Sequence, residues 1–331
     1  MSDDLSRRSV MSGVAIGAAS ALGGGSALAQ GGEGRAEAVP LEDPRARHPK
    51  PPFKRQQQPW PGLASKMEPR PDHGERSYRG SGRLKGRRAL ITGGDSGMGA
   101  AAAIAFAREG ADVAINFLPD EQPDADLVLR EIKAAGRKGI ALPGDLRDEG
   151  FCRALVDNAA KQLGGLDILV LNAARQQAHQ SILDISSENF DWTMKTNIYA
   201  PFWMTQAALA HLKPGAVIIG TTSEQADDPS PDLYDYAMTK AATTSYVRSL
   251  AKQLASRGIR VNGVAPGPIW TPLQVSGGAS MEKLEQFGGQ TPLGRPGQPG
   301  ELAGIYVALA EPGNSFATGQ VYGAMGGGGK P

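Results

Sequence analysis

The sequence predicts an α/β protein built on a single doubly wound parallel sheet of about seven strands, with helices on both faces. Three observations predict it. Short apolar runs alternate with helical stretches from residue 88 onward. A glycine-rich loop joins the first of those strands to the first helix. The 331 residues, 40% of them apolar, are enough for a large core, and one cysteine and four scattered histidines supply neither a disulfide framework nor a zinc cluster.

The elements follow in order. Residues 89–91 form a short apolar strand, and the alanine-rich stretch 100–108 a helix ending near Gly110. Strand 113–115 precedes a helix over 124–135, closed by Gly136. Strand 139–142 and helix 149–163 come next, then strand 168–171 and a helix over about 187–212. Strand 216–219, a long helix over 235–256, strand 260–264 and a last strand at 320–322 complete the body. Strands separated by single helices pair in parallel through right-handed crossovers. Ligands of such sheets bind at the strand carboxyl ends.

Two segments precede this body. Residues 1–29 read as an export leader: Arg7-Arg8, an uncharged weakly apolar run, and the small-x-small ending Ala27-Leu28-Ala29. The paired arginines resemble a twin-arginine signal, which implies the bacterial periplasm; ordinary secretion, an uncleaved anchor, or a cytoplasmic protein whose leader is unused are the alternatives. Residues 30–83 form a proline-rich arm, with nine prolines between 40 and 72. It is either a tether or a strap packed on the body, of its own chain or a neighbour, with Phe53, Trp60, Leu63 and Met67 as anchors. Residues 84–331 are the body. The charge is split the same way, +7 over 30–88 and −6 over 89–331. A total of +1 gives no global field for nucleic acid or a membrane surface.

The loop Thr92-Gly93-Gly94-Asp95-Ser96-Gly97-Met98-Gly99 contains G-x-x-x-G-x-G between strand and helix. A backbone that turns tightly and approaches a pyrophosphate excludes side chains, and the helix N-terminus offers free N–H groups to the phosphates. This predicts a Rossmann-type dinucleotide site. Tyr236-Ala237-Met238-Thr239-Lys240 is Y-x-x-x-K, which puts phenol and ammonium on one helix face. The cation is expected to lower the tyrosine pKa and ready it for proton transfer.

On these motifs the chain resembles a short-chain dehydrogenase/reductase across roughly residues 84–330. The wording around Pro69-Arg70-Pro71 and Gly94-Asp95-Ser96-Gly97 is similar to its glucose/ribitol-dehydrogenase-like and bacterial aldehyde-reductase-like branch. The resemblance implies an NAD(P)-dependent oxidoreductase acting on a small alcohol, aldehyde or polyol, without a metal and as a homo-oligomer, tetramer or dimer. It implies that Ser223, thirteen residues before Tyr236, bonds the reacting oxygen. Lys240 would bind the nicotinamide ribose, and Asn197 would hold a water for the proton relay; otherwise Asn197 is a polar kink. Asp145 of Gly144-Asp145-Leu146 is an adenine contact, a helix N-cap, or both. Asn172-Ala173-Ala174 abuts the cofactor, and Thr271 of Pro266-Gly267-Pro268-Ile269-Trp270-Thr271 holds the carboxamide. Asn116 ends the second strand where an acid would repel a 2′-phosphate. Asp120 and Glu121 are expected to lie too far along, so NADP is preferred over NAD. Residues 272–299 read as a mobile substrate lid, with Gln177, Gln225, Tyr234 and Trp270 as pocket residues. A dinucleotide-binding regulator without turnover is the alternative. The export reading raises a supply question, because nicotinamide cofactor is expected to be scarce outside the cytoplasm unless it is carried out bound.

Overall fold

The computed structural model describes residues 41–329. The leader lies outside them. From Glu42 onward the chain forms one compact unit. Its strands are β1 (Arg88–Thr92), β2 (Asp112–Phe117), β3 (Gly139–Pro143), β4 (Ile168–Leu171), β5 (Val217–Thr221), β6 (Arg260–Pro266) and β7 (Val321–Ala324). All pair in parallel, in the order β3-β2-β1-β4-β5-β6-β7. The order reverses between β1 and β4, and the switch point there opens a crevice at the strand carboxyl ends.

Why the strands read as unbroken apolar runs is visible in the core. Ala89 and Ile91 of β1 fill one face of the sheet, and Leu90 fills the other. Ile168 and Val170 of β4 alternate with Leu169 and Leu171 in the same way. A strand covered on both sides needs apolar residues at both parities. On the first face lie α1 (Gly97–Arg108), α2 (Gln122–Ala134) and α9 (Pro299–Ala310); on the second lie α3 (Glu149–Leu163), α5 (Ala200–Ala208) and α6 (Tyr234–Leu254). Ten of the twelve residues of α1 are buried, so its alanines let α9 pack against it without crowding. Among the described residues no helix is long and apolar enough to cross a membrane.

Two elements differ from the sequence expectation. The helix placed over 187–212 is α4 (Ser187–Met194), a π-helical turn Lys195–Tyr199, and α5. Helix α9 has no counterpart in the sequence reading. It is apolar on nearly all sides, so it lacks the two-faced periodicity that marks an exposed helix.

The arm residues 42–87 run over the surface of the body. Phe53 N–H donates to the Glu285 carbonyl and Gln58 N–H to the Val275 carbonyl, at 2.8 and 2.9 Å. The Ala64 and Ser65 N–H groups donate to the Asp124 carboxylate near the start of α2. Three consecutive N–H groups, of Ser81, Gly82 and Arg83, converge on one Glu109 carboxylate oxygen past the end of α1. The charge split contributes less than its size suggests. Arg55–Glu282 is a 2.8 Å pair, but both side chains are more than half exposed, where solvent screens the attraction. Main-chain hydrogen bonds and burial of Phe53, Leu63 and Met67 hold the arm instead.

Candidate active site

A cavity of about 430 Å³ lies where β1, β2, β4 and β5 end. The glycine loop forms its floor. Gly93 has φ +59°, and a Cβ on it would press on Ala173 and Asn172 at 3.1–3.3 Å. A Cβ on Gly99 would run into the Gly93 carbonyl oxygen. Asn172 locks the floor to the sheet: its Nδ2 donates to the carbonyls of Thr92 and Gly93, and its Oδ1 accepts from Thr221 Oγ1. Two polar atoms of cavity-lining residues, Asp95 Oδ2 and Trp60 Nε1, are shut off from water without a partner. A bare-backbone cradle with unsatisfied polar atoms fits a long polar ligand such as a dinucleotide.

Most of the anticipated cofactor residues line this cavity: Gly93, Asp95, Ser96, Gly97, Met98, Asn116, Asp145, Leu146, Asn172, Ala173, Pro266, Thr271, and the pair Tyr236 and Lys240. Gly99 lies behind the loop as packing, and Gly267 and Ile269 line a second cavity instead. Asp145 does not cap α3; that role belongs to Asp148, which accepts from Phe151 N–H. Burial opposes ionisation of Asp145, but hydrogen bonds from the Arg147 side chain and backbone hold its carboxyl below the usual range. Asp120 and Glu121 are not out of reach. A short 3₁₀ turn after β2 folds them onto the cavity wall. Burial raises the Glu121 carboxyl, and the neighbouring Asp95 raises it further. Asp95 is itself raised, by burial first and by Asp124. The pair therefore holds protons beyond the ordinary carboxylate range.

At the other end of the cavity, α6 begins just beyond β5 and presents Tyr236 and Lys240 on one face. Both are buried. Lys240 Nζ donates to the Thr221 carbonyl at 2.8 Å and lies 5.4 Å from the Tyr236 ring centre. Burial pulls the Lys240 ammonium down to about 8. Burial also pushes the Tyr236 phenol up to about 12, against the pull of the nearby Ser223 hydroxyl. Desolvation sets the direction, and the depression expected from the lysine does not appear. The phenol keeps its proton at neutral pH.

Asn197 sits in the π-helical turn, a local geometry that recurs at functional sites. Its carboxamide makes three hydrogen bonds. Oδ1 accepts from Arg175 N–H, and Nδ2 donates to the Arg175 carbonyl and to Thr239 Oγ1. The side chain thus ties the loop after β4 to α6. Asp235, which the sequence did not single out, does similar work: it accepts from Thr193 Oγ1 at 2.6 Å and from Tyr236 N–H.

A second cavity of about 190 Å³ opens on the far side of Tyr236, and Met98, Tyr236, Pro266, Thr271 and Leu273 line both. Ser223 and Gln225 line it as anticipated, with Gln176, Glu224 and Ser230 adding polar atoms. Three anticipated pocket residues lie elsewhere. Gln176 takes the place of Gln177, because the chain after β4 turns the preceding residue inward. Tyr234 is half exposed at the start of α6. Trp270 is completely buried: it stacks on Phe53 with ring centres 4.4 Å apart, and its Nε1 donates to the Pro69 carbonyl. It anchors the arm, while its neighbours Ile269 and Thr271 face the cavities. The anticipated lid consists of α7 (Pro272–Ser276), α8 (Met281–Glu285) and the loop after them, all beneath the arm. Not anticipated at the cavity were Trp60, which the sequence offered only as an arm anchor, with Pro61 and Gly62, and Arg147 and Trp192, stacked 4.2 Å apart at the cavity wall.

A family model described as Enoyl-(Acyl carrier protein) reductase matches residues 93–328. The chain is 56% identical to the uncharacterized oxidoreductase YghA of Escherichia coli over 287 residues, 87% of this chain and 98% of that one. Those matched residues outnumber the body, so the match takes in part of the arm. It is 42% identical to glucose and ribitol dehydrogenase of Daucus carota, over 84% of this chain and 96% of that one. Among solved structures, a short-chain dehydrogenase from Burkholderia cenocepacia in complex with NADP superimposes with a TM-score of 0.69, at 34% identity, covering 74% of this chain and 98% of that one. The chain belongs to the short-chain dehydrogenase/reductase family of oxidoreductases.

Proposed function

We propose that the protein transfers a hydride between a nicotinamide dinucleotide, NADP or else NAD, and a small alcohol, aldehyde or polyol. One observation supports this most: Tyr236 stands where the two cavities meet, with Ser223 lining the second cavity and Lys240 the first. The NADP bound by the Burkholderia relative and the ribitol in the Daucus relative's name point the same way. The glycine loop would hold the pyrophosphate, and Lys240 and Thr271 the nicotinamide end. The dinucleotide, when bound, supplies or accepts the hydride.

The chain's own residues handle the proton. The Ser223 hydroxyl donates to the substrate oxygen and fixes its position. The Tyr236 phenol, protonated at neutral pH, gives its proton to that oxygen during reduction. In alcohol oxidation the transfer reverses, and the raised phenol pKa makes that direction the harder one near neutrality. Asn197 and Asp235 position α6. The second cavity is small, with Gln176, Ser223, Glu224 and Gln225 supplying polar atoms among apolar walls, and it suits a small substrate better than a large one. Tyr236→Phe should lower kcat by about 10²–10⁴-fold with dinucleotide affinity within about twofold, measured by steady-state kinetics and calorimetry. Undiminished turnover would remove Tyr236 from the mechanism. No observation favours the regulatory alternative.

Export by the twin-arginine route to a bacterial periplasm is part of the same proposal, resting on the leader sequence, and N-terminal sequencing of the mature protein tests it. A homo-oligomer is proposed from the exposed apolar side chains Tyr199, Phe202, Tyr234 and Met238 on the α5 and α6 side, with light scattering as the check.

A further inference from the structure

The proposed chemistry makes no use of residues 51–69, yet they are the part of the arm most closely fitted to the site. Trp60, Pro61 and Gly62 line the dinucleotide cavity alongside the glycine loop. The chain on either side of them is fastened to opposite banks. Toward α7, Gln58 N–H donates to the Val275 carbonyl, and a Cβ on Gly62 would lie 3.1 Å from that of Ser276. Toward α2, the Ala64 and Ser65 N–H groups hold the Asp124 carboxylate. The segment therefore crosses the cavity from α7 to α2. Its outer part also pins the banks: Phe53 N–H is bonded to the end of α8, and Gln57 Nε2 to the Ala279 carbonyl between α7 and α8. Inside the span, the Trp60 indole N–H is shut off from water with no acceptor, although the residue lines a cavity cut for a polar ligand. A buried donor left unpaired is costly, and an acceptor on a bound ligand removes that cost.

We propose that residues 51–69 are a retention strap: they close over the dinucleotide, and its release requires Trp60–Gly62 to lift from between α7 and α2. The proposal rests on the dinucleotide reading above. It makes the dinucleotide a slowly exchanging group, carried with the folded chain, in place of a freely diffusing co-substrate. Lid motions that gate release are a known way for closure to set an exchange rate. Here the moving part comes from ahead of the catalytic body and lies across its binding site.

The test uses the mature protein loaded with NADPH, or with NADH where that binds more tightly. Release is followed by loss of nicotinamide fluorescence after mixing with excess oxidised dinucleotide. Trp60→Ala, which opens the span, should release roughly tenfold faster or more, since changes at one interface act mainly on the off-rate. The double variant Gly62→Cys/Ser276→Cys places two thiols within a few tenths of an ångström of the Cβ separation a disulfide takes, about 3.5–4.5 Å. The native Cys152 is fully buried and does not compete. Oxidised after loading, this variant should release its dinucleotide at least roughly tenfold more slowly than the same protein reduced. Because oxidised and reduced forms share one sequence, a folding defect cannot produce the difference. Equal release rates for the two forms overturn the strap, as does a wild-type rate for Trp60→Ala. Failure of the unaltered protein to bind either dinucleotide overturns the dinucleotide reading instead.

Discussion

The dinucleotide cavity is lined chiefly by residues at the ends of strands, whereas the substrate cavity is lined by loops and short helices held in place from outside by residues 51–69. In the first, backbone approach decides the residue type, so Gly93, Gly97 and Gly99 occur at fixed spacing on a rigid floor. In the second, the walls are Ser223–Ser230, Gly267–Ile269 and the segment from Leu273 to Phe287, whose positions depend on Phe53 stacking on Trp270 and on main-chain bonds to the arm. The difference teaches that the two cavities take their shape from different constraints. The strand ends build the floor of the first, which the arm crosses at Trp60–Gly62, whereas the arm holds walls of the second from outside without lining it.

Three changes break or sharpen that contrast, in falling order of effect. Phe53→Ala removes a buried aromatic side chain, a class of change that costs about 3–5 kcal/mol. Its cost should fall on the arm and on α7–α8, raising the substrate KM and exposing residues 51–69 and 272–289 to hydrogen exchange. The sheet should keep its protection. If exchange rises equally everywhere, the two cavities are one cooperative unit. Gly99→Ala acts on the opposite side of the comparison. Its Cβ collides with the Gly93 carbonyl, and overpacking of this kind costs about 1–3 kcal/mol. Dinucleotide affinity should drop by roughly tenfold or more, as 1.4 kcal/mol is a factor of ten, while the arm stays protected.

The smallest effect concerns pH. Asp95 and Glu121 line the dinucleotide cavity with raised pKa values, so they are more neutral at lower pH and gain negative charge as pH rises from neutral to alkaline. A 2′-phosphate is repelled more as they ionise. The ratio of NADPH to NADH affinity should therefore fall with rising pH, by severalfold, and calorimetry with Glu121→Gln should show a flatter profile. A ratio that stays constant over that range would separate these carboxyls from the 2′-phosphate.

Legibility in the sequence followed the same division. The glycine loop, Tyr236 and Lys240 were readable because their chemistry fixes both residue type and spacing on consecutive elements, and Ser223 followed only from the family resemblance. Trp270 was misplaced because it neighbours Thr271 in sequence, while its ring turns away to meet Phe53, more than 200 residues earlier. Asp120 and Glu121 were judged by distance along the chain, but a 3₁₀ turn brings them back. Helix α9 was missed because apolar residues at nearly every position erased its periodicity. Trp60 gave an aromatic signal without a partner to interpret it.

The sequence by itself determined the parallel sheet, the hand of its crossovers, the dinucleotide loop and the tyrosine–lysine pair, because period, handedness and backbone clearance are local constraints written into neighbouring residues. Only the tertiary structure decided that the proline-rich arm crosses the dinucleotide cavity and is fastened to α7 and α8, and that burial sets the direction of the Tyr236 phenol. Those outcomes depend on which surfaces exclude water together, and that is a property of residues far apart in the chain.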